Sequence, residues 1–145
     1  MSDATHLEEV LPTDPLGRYI PSRRRARKAA NGDVPYDLFQ ENIQIDSLSV
    51  DRLDLAPDHE MAEIAMVNLA ARDKPFFGWA AVTVEDAQKM GRTVEPTPML
   101  NNRYHADIYL NLPENSERKD AVRQHALNLA RHAVYRPWPP RAESE

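Results

Sequence analysis

Alternation of apolar and polar positions is clearest between Tyr104 and Leu112. Ala106, Ile108, Leu110 and Leu112 fall on one face of an extended chain, and His105, Asp107, Tyr109 and Asn111 on the other. This predicts a strand with one face in the core and one open, closed by Pro113. Phe76 to Val84 is aromatic and β-branched and predicts a central strand, with Phe77, Trp79 and Ala81 on one core-facing side. Leu16 to Ile20 predicts a short strand stopped by Pro21, and Arg92 to Glu95 another. The series Ile43, Ile45, Leu48, Val50 and Leu53 alternates with one slip near Asp46 and Ser47, which predicts a bulged strand or two short ones.

Helical spacing appears twice. Asp58 to Ala71 follows Pro57, carries Glu60 in its first turn, and is apolar over a wide surface from Met61 to Ala70. Ser116 to Val134 places Val122, Ala126, Leu129 and Ala133 in one stripe, with His125 and His132 at its edge and their tips expected in water. Thr83 is a cap for a short helix that ends at Gly91. Strands and helices mixed in this order, with few crossovers of βαβ length, predict an α+β fold: a small antiparallel or mixed sheet with two main helices packed on one face. A single domain is expected over 16–136. Residues 1–15 read as a flexible acidic tail and 137–145 as a Pro-rich tail, from which Trp138 either folds back or meets a partner.

Composition narrows the chemistry. The 145 residues contain no cysteine, which excludes disulfides, thiolate catalysis and cysteine-based metal sites and makes a cytoplasmic setting the simplest expectation. No stretch approaches the roughly 20 apolar residues of a membrane-spanning helix, and the N-terminal residues lack a signal-peptide core. The four glycines are isolated, so neither a phosphate loop nor a dinucleotide fingerprint can be assembled and no cofactor is expected. Net charge is −5, yet Arg23, Arg24, Arg25, Arg27 and Lys28 form one basic cluster, leaving 13 cations against 23 carboxylates elsewhere. That cluster is either a solvated segment or the footprint of a nucleic acid.

His105 and Asp107, two apart on a strand, share a face and are the candidate catalytic pair, one residue type for proton transfer and one to orient it. A third member would come from Asp46, Asp51, His59, His125 or His132, and no metal site is expected without one. Ser49 and Asp51 also share a face, but no base lies beside Ser49 locally, which argues against a nucleophile there.

The segments Leu16-Gly17-Arg18-Tyr19-Ile20, Ser49-Val50-Asp51-Arg52 and Tyr104-His105-Ala106-Asp107-Ile108 are, in this order, similar to a group of small bacterial proteins without assigned chemistry. The resemblance spans roughly residues 16 to 135 and implies a bacterial cytosolic protein. It brings no catalytic residues with it. Val34-Pro35-Tyr36-Asp37 stands where similar proteins often carry a serine-rich turn.

The expected function is a non-enzymatic interaction module or accessory subunit, acting through a protein partner or self-association, with Trp138 as its partner-binding candidate. The alternative is a nucleic-acid-binding protein or small RNase-like enzyme that uses the Arg23–Lys28 cluster to hold phosphate and His105 to move a proton.

Overall fold

The structure, a computed structural model, describes residues 9–41 and 44–140. Six strands, β1 (Pro15–Tyr19), β2 (Ser47–Arg52), β3 (Gly78–Thr83), β4 (Thr93–Pro96), β5 (His105–Tyr109) and β6 (Val134–Pro137), form one sheet. Their order is β4-β5-β2-β1-β3-β6, and every neighbouring pair is antiparallel. Four helices accompany them: α1 (Arg23–Ala30), α2 (Asp58–Ala70), the short α3 (Val84–Ala87) and α4 (Arg118–His132).

The two sheet faces differ. On one, Leu16, Leu48, Val50, Ala80, Val82, Ala106 and Ile108 meet Val122, Ala126 and Leu129 of α4, Ala26 and Ala29 of α1, and Phe39 from the 3-10 turn over Tyr36–Phe39. On the other, Trp79 and Ala81 pack with Leu53, with Met61 and Ala62 of α2, and with Tyr104. Three edge-on aromatic contacts seal this second cluster, Tyr19–Phe76, Phe76–Trp79 and Trp79–Trp138. Truncating a ring buried like that of Trp79 costs about 3–5 kcal/mol.

The α+β architecture predicted from the pattern is present, with an antiparallel sheet, but the two predicted main helices, α2 and α4, lie on opposite faces of it. The helix that shares a face with α4 is α1. Helix α2 covers the opposite face, because its inner residues Met61 and Ala62 meet Trp79 and Ala81, whose side chains point away from α4. Helix α1 escaped the sequence reading because only two small residues, Ala26 and Ala29, are buried on it. Its start is set by Ser22, whose hydroxyl accepts from the Arg25 N–H at 3.3 Å. Its end is the Asn31-Gly32-Asp33 turn, with Gly32 at φ +87°.

Ordered structure begins before residue 16. The Asp14 and Pro12 carbonyls accept from the Val84 and Glu85 N–H groups, and the Arg52 guanidinium donates to the Glu9 carbonyl, which ties 9–14 to β2 and the start of α3. The rest of the predicted acidic tail, 1–8, lies outside the described residues, as does 141–145 of the Pro-rich segment.

The second face covers only half of the sheet. Trp79 and Ala81 are buried, whereas Ser49, Thr93 and Glu95 are exposed and His105, Asp107 and Tyr109 are half-buried. The border between the halves passes through Gly17. An added Cβ there would lie 2.8 Å from Cδ1 of Trp79 and 2.9 Å from Cδ1 of Leu53, both held in the packed cluster. Gly17→Ala is therefore expected to destabilise the fold by about 1–3 kcal/mol through overpacking. Urea unfolding checks this: a midpoint equal to that of the unsubstituted protein would show that Trp79 is not pressed against β1.

Candidate functional site

Strands β1 and β2 pair only at Leu16 with Arg52 and Gly17 with Asp51. Beyond this they diverge, and Arg18 fills the gap. Its Nε donates to the Leu38 carbonyl at 2.7 Å, one terminal nitrogen to the Ser49 carbonyl at 3.0 Å, and the other to Glu41 at 2.9 Å. The Ser49 carbonyl lies on the β1 side of β2, so a guanidinium replaces a missing ladder bond. The divergence leaves a cleft of about 510 Å³. Its walls are Arg18, Tyr19 and Arg25 on one side, Ser49 and Asp51 of β2, Asn68, Arg72 and Lys74 at the end of α2, and Asn101, Asn102 and His105.

Asp51 is the centre of this site. It is a charged residue in a strand, 2% exposed. Its two carboxylate oxygens accept from the Tyr19 hydroxyl at 2.6 Å and from the Asn102 side-chain amide at 2.7 Å. The Tyr19 oxygen in turn accepts from the Asn68 amide at 3.4 Å, and the Asn102 carbonyl oxygen accepts from the Tyr104 N–H at 3.1 Å. One carboxyl thus joins β1, β2, α2 and the 97–104 loop. Burial pushes the Asp51 carboxyl above its ordinary 3.8, against the lowering effect of Tyr19, Asn102 and His105. Burial, and next the Asp51 charge, hold the Tyr19 hydroxyl far above 10, so it stays a donor.

His105 stands directly opposite Asp51 across the β2–β5 ladder. Such pairs bring Cβ atoms to about 4.5–5.5 Å. His105 Nδ1 lies 3.1 Å from the Thr97 carbonyl, which can only accept, so Nδ1 carries the hydrogen and Nε2 is the free nitrogen. The Thr97 hydroxyl is 2.9 Å from the same Nδ1 and donates to Asp107 at 2.9 Å. The His105–Asp107 pair predicted from their spacing is thus connected through Thr97 rather than directly.

The other sequence candidates are distributed as follows. Of the residues considered as companions for His105, only Asp51 is beside it. Asp46 accepts from the Leu112 N–H and pairs with Arg118, and His59 is exposed on α2. His132 Nδ1 bonds the Asn128 carbonyl. His125, expected with its tip in water, is instead buried. Its Nδ1 lies 2.9 Å from the buried Arg92, which also donates to the Ala87 and Asp86 carbonyls and to Asn128. The basic cluster divides: Arg25 lines the cleft and pairs with Asp37, Arg23 lies over the Phe77 ring, and Arg24, Arg27 and Lys28 face outward. Trp138 packs its ring edge against Trp79 and remains half-buried. Tyr19, Asn68, Thr97 and Asn102 were not singled out from the sequence. The only local sign was Asp51 itself, a carboxylate between buried Val50 and Arg52 in a strand.

Chemically, the cleft offers donors of fixed position, one free imidazole nitrogen, and four cationic side chains against three carboxylates, Asp37, Glu41 and Asp51. Arg18 and Arg25 are paired to two of those carboxylates, and no ion pair holds Arg72 or Lys74 among the described residues. No group of three or more histidines and carboxylates able to hold a metal is present among the described residues, and none of their helices is long and apolar enough to cross a membrane.

Asp51 has a folded pKa above its unfolded one, so the stability it contributes is complete below pH 3.8 and is lost as pH rises through the folded value. Asp51→Asn, which keeps the shape and lets the Tyr19 hydroxyl turn to accept, should match or exceed the original stability at neutral pH. Asp51→Ala, which strands two buried donors, should cost about 2–4 kcal/mol. Thermal melts against pH test both, and a large loss in the Asn variant would contradict them. His125 shifts the other way: burial, then the Arg92 charge, hold its imidazole below 6.5. Its contribution is present above pH 6.5 and lost as pH falls through the folded value, so His125→Gln should flatten the acid limb of the same curve. The chain stands apart in comparisons: no protein-family model, no curated protein and no solved structure matches it.

Proposed function

We propose that this chain is a small binding module whose ligand is a polar molecule bearing a carboxylate or phosphate, held in the cleft between β1 and β2. The observation that carries this reading is the almost fully buried Asp51 beside an open cleft. A desolvated carboxyl adds nothing to a core that apolar residues would not supply better, and such groups recur where a ligand is positioned. The cleft volume lies in the range of small-ligand sites, about 300–1,000 Å³. Arg72 and Lys74, exposed on the lining of the cleft, favour an anionic ligand in an otherwise negative protein.

On this reading Arg72 and Lys74 meet the charge of the ligand, and Asp51, Tyr19 and Asn102 are positioning residues that fix the wall behind it. The module belongs in a bacterial cytoplasm as an accessory to a larger process, and it reports its ligand to a protein partner or to a second copy. The lack of cysteine and the resemblance in the three strand segments support the setting. The uncovered polar half of the sheet supports the contact.

Amide shifts in a 1H–15N correlation spectrum provide the test, with succinate and inorganic phosphate as probes and glycerol as the neutral control. Millimolar succinate or phosphate should move the amides of Arg72, Asn101, Asn102 and His105, glycerol should not, and Asp51→Ala should abolish the response. Spectra unchanged by both anions, or shifts confined to other surfaces, would overturn the assignment.

A further inference from the structure

We propose a second site, independent of the cleft: the outer face of α1 and the adjoining groove against α4 bind single-stranded nucleic acid. The five cations of the basic cluster are not equivalent once folded. Arg25 is committed to Asp37 at 3.3 Å and Arg23 to the Phe77 ring. Arg24, Arg27 and Lys28 are all exposed, and among the described residues none of them is in an ion pair. Their spacing of three and four places them on one side of the helix, neighbours about 5–6 Å apart at Cβ.

This face borders a groove of about 790 Å³. Lys28 from α1 and Arg131 from α4 both line it, and Tyr36 lies between them in sequence and also lines it. Tyr36 is 37% exposed, with Arg123 5.9 Å from its ring centroid. An exposed aromatic ring with a guanidinium on it, flanked by unpaired cations, is the combination on which single-stranded nucleic acids bind: backbone to cations, a base to the ring. Asp33 and Asp37 also line the groove, and Asp37 is already neutralised by Arg25. A flat anionic membrane would engage the cations without using the groove that Tyr36 lines. For this reason the geometry favours a strand that can enter the groove.

The test is fluorescence anisotropy of a labelled single-stranded oligonucleotide of mixed sequence, titrated with the protein over a range of salt. Binding should weaken with salt, and replacing Arg24, Arg27 and Lys28 together by alanine should lower the slope of log K against log salt by about 2, since each single-strand contact contributes roughly 0.7. Tyr36→Ala should weaken binding by about 5- to 100-fold at unchanged slope, and Tyr36→Phe should restore it. Asp51→Asn, which alters only the cleft, should have no effect, so the two sites fail or stand separately. The three cations are on the surface, and an unchanged circular dichroism spectrum confirms that their removal leaves the fold intact. No binding at low salt, an unchanged slope in the triple variant, or binding to phosphatidylserine vesicles in place of the oligonucleotide would each overturn the proposal.

Discussion

The Asp51 carboxyl is the interaction on which this half of the molecule depends. It takes a hydrogen bond from β1 through Tyr19 and one from the 97–104 loop through Asn102, and Tyr19 carries the connection on to α2 through Asn68. β1 and β2 are each paired along their outer neighbours but share only two residue pairs with one another, so this network adds a link where their own ladder ends. A carboxyl with two donors is tolerable in a buried position, whereas one left alone would not be. The network therefore holds the cleft open at a fixed width instead of letting the strands close on one another.

Arg18 completes the same arrangement from the other face. By donating to the Ser49 carbonyl it satisfies a backbone group that a closed ladder would have used; it also holds the Leu38 carbonyl of the 3-10 turn, and its charge is met by Glu41. The divergence of two central strands is thus stabilised at both ends, by a carboxyl on one face and a guanidinium on the other. The consequence for function is geometric. The opening lies in the middle of the sheet, where side chains from β1, β2, the end of α2 and the loop before β5 converge.

A second buried polar cluster, Arg92 with His125 and Asn128, shows the contrast. It lies between the start of β4 and α4 and is closed by the Asp86 and Ala87 carbonyls. Burial lowers the pKa of both members, Arg92 to about 10 against the raising effect of Asp86, and the Arg92 charge lowers His125 further. It pins α3 to α4, and its polarity serves packing rather than recognition.

Much of the fold was legible in the order of apolar residues. The alternation through Tyr104–Leu112 fixed which side of β5 meets the core, the aromatic run placed β3, and Pro57 and Thr83 marked the starts of α2 and α3, because these signals act within a few residues. Other features needed the tertiary structure. Helix α1 buries only two alanines, a signal too small to separate from a charged loop, and β6 is a four-residue edge strand that exists because β3 offers it an edge. The position of α2 on the opposite face from α4 depends on the sheet order, which no local pattern encodes. His105 and Asp107 were visible as a pair from their spacing alone. Asp51, Tyr19 and Asn102 lie 32 and 51 residues apart along the chain, and only the pairing of β1, β2 and β5 brings the three to one wall.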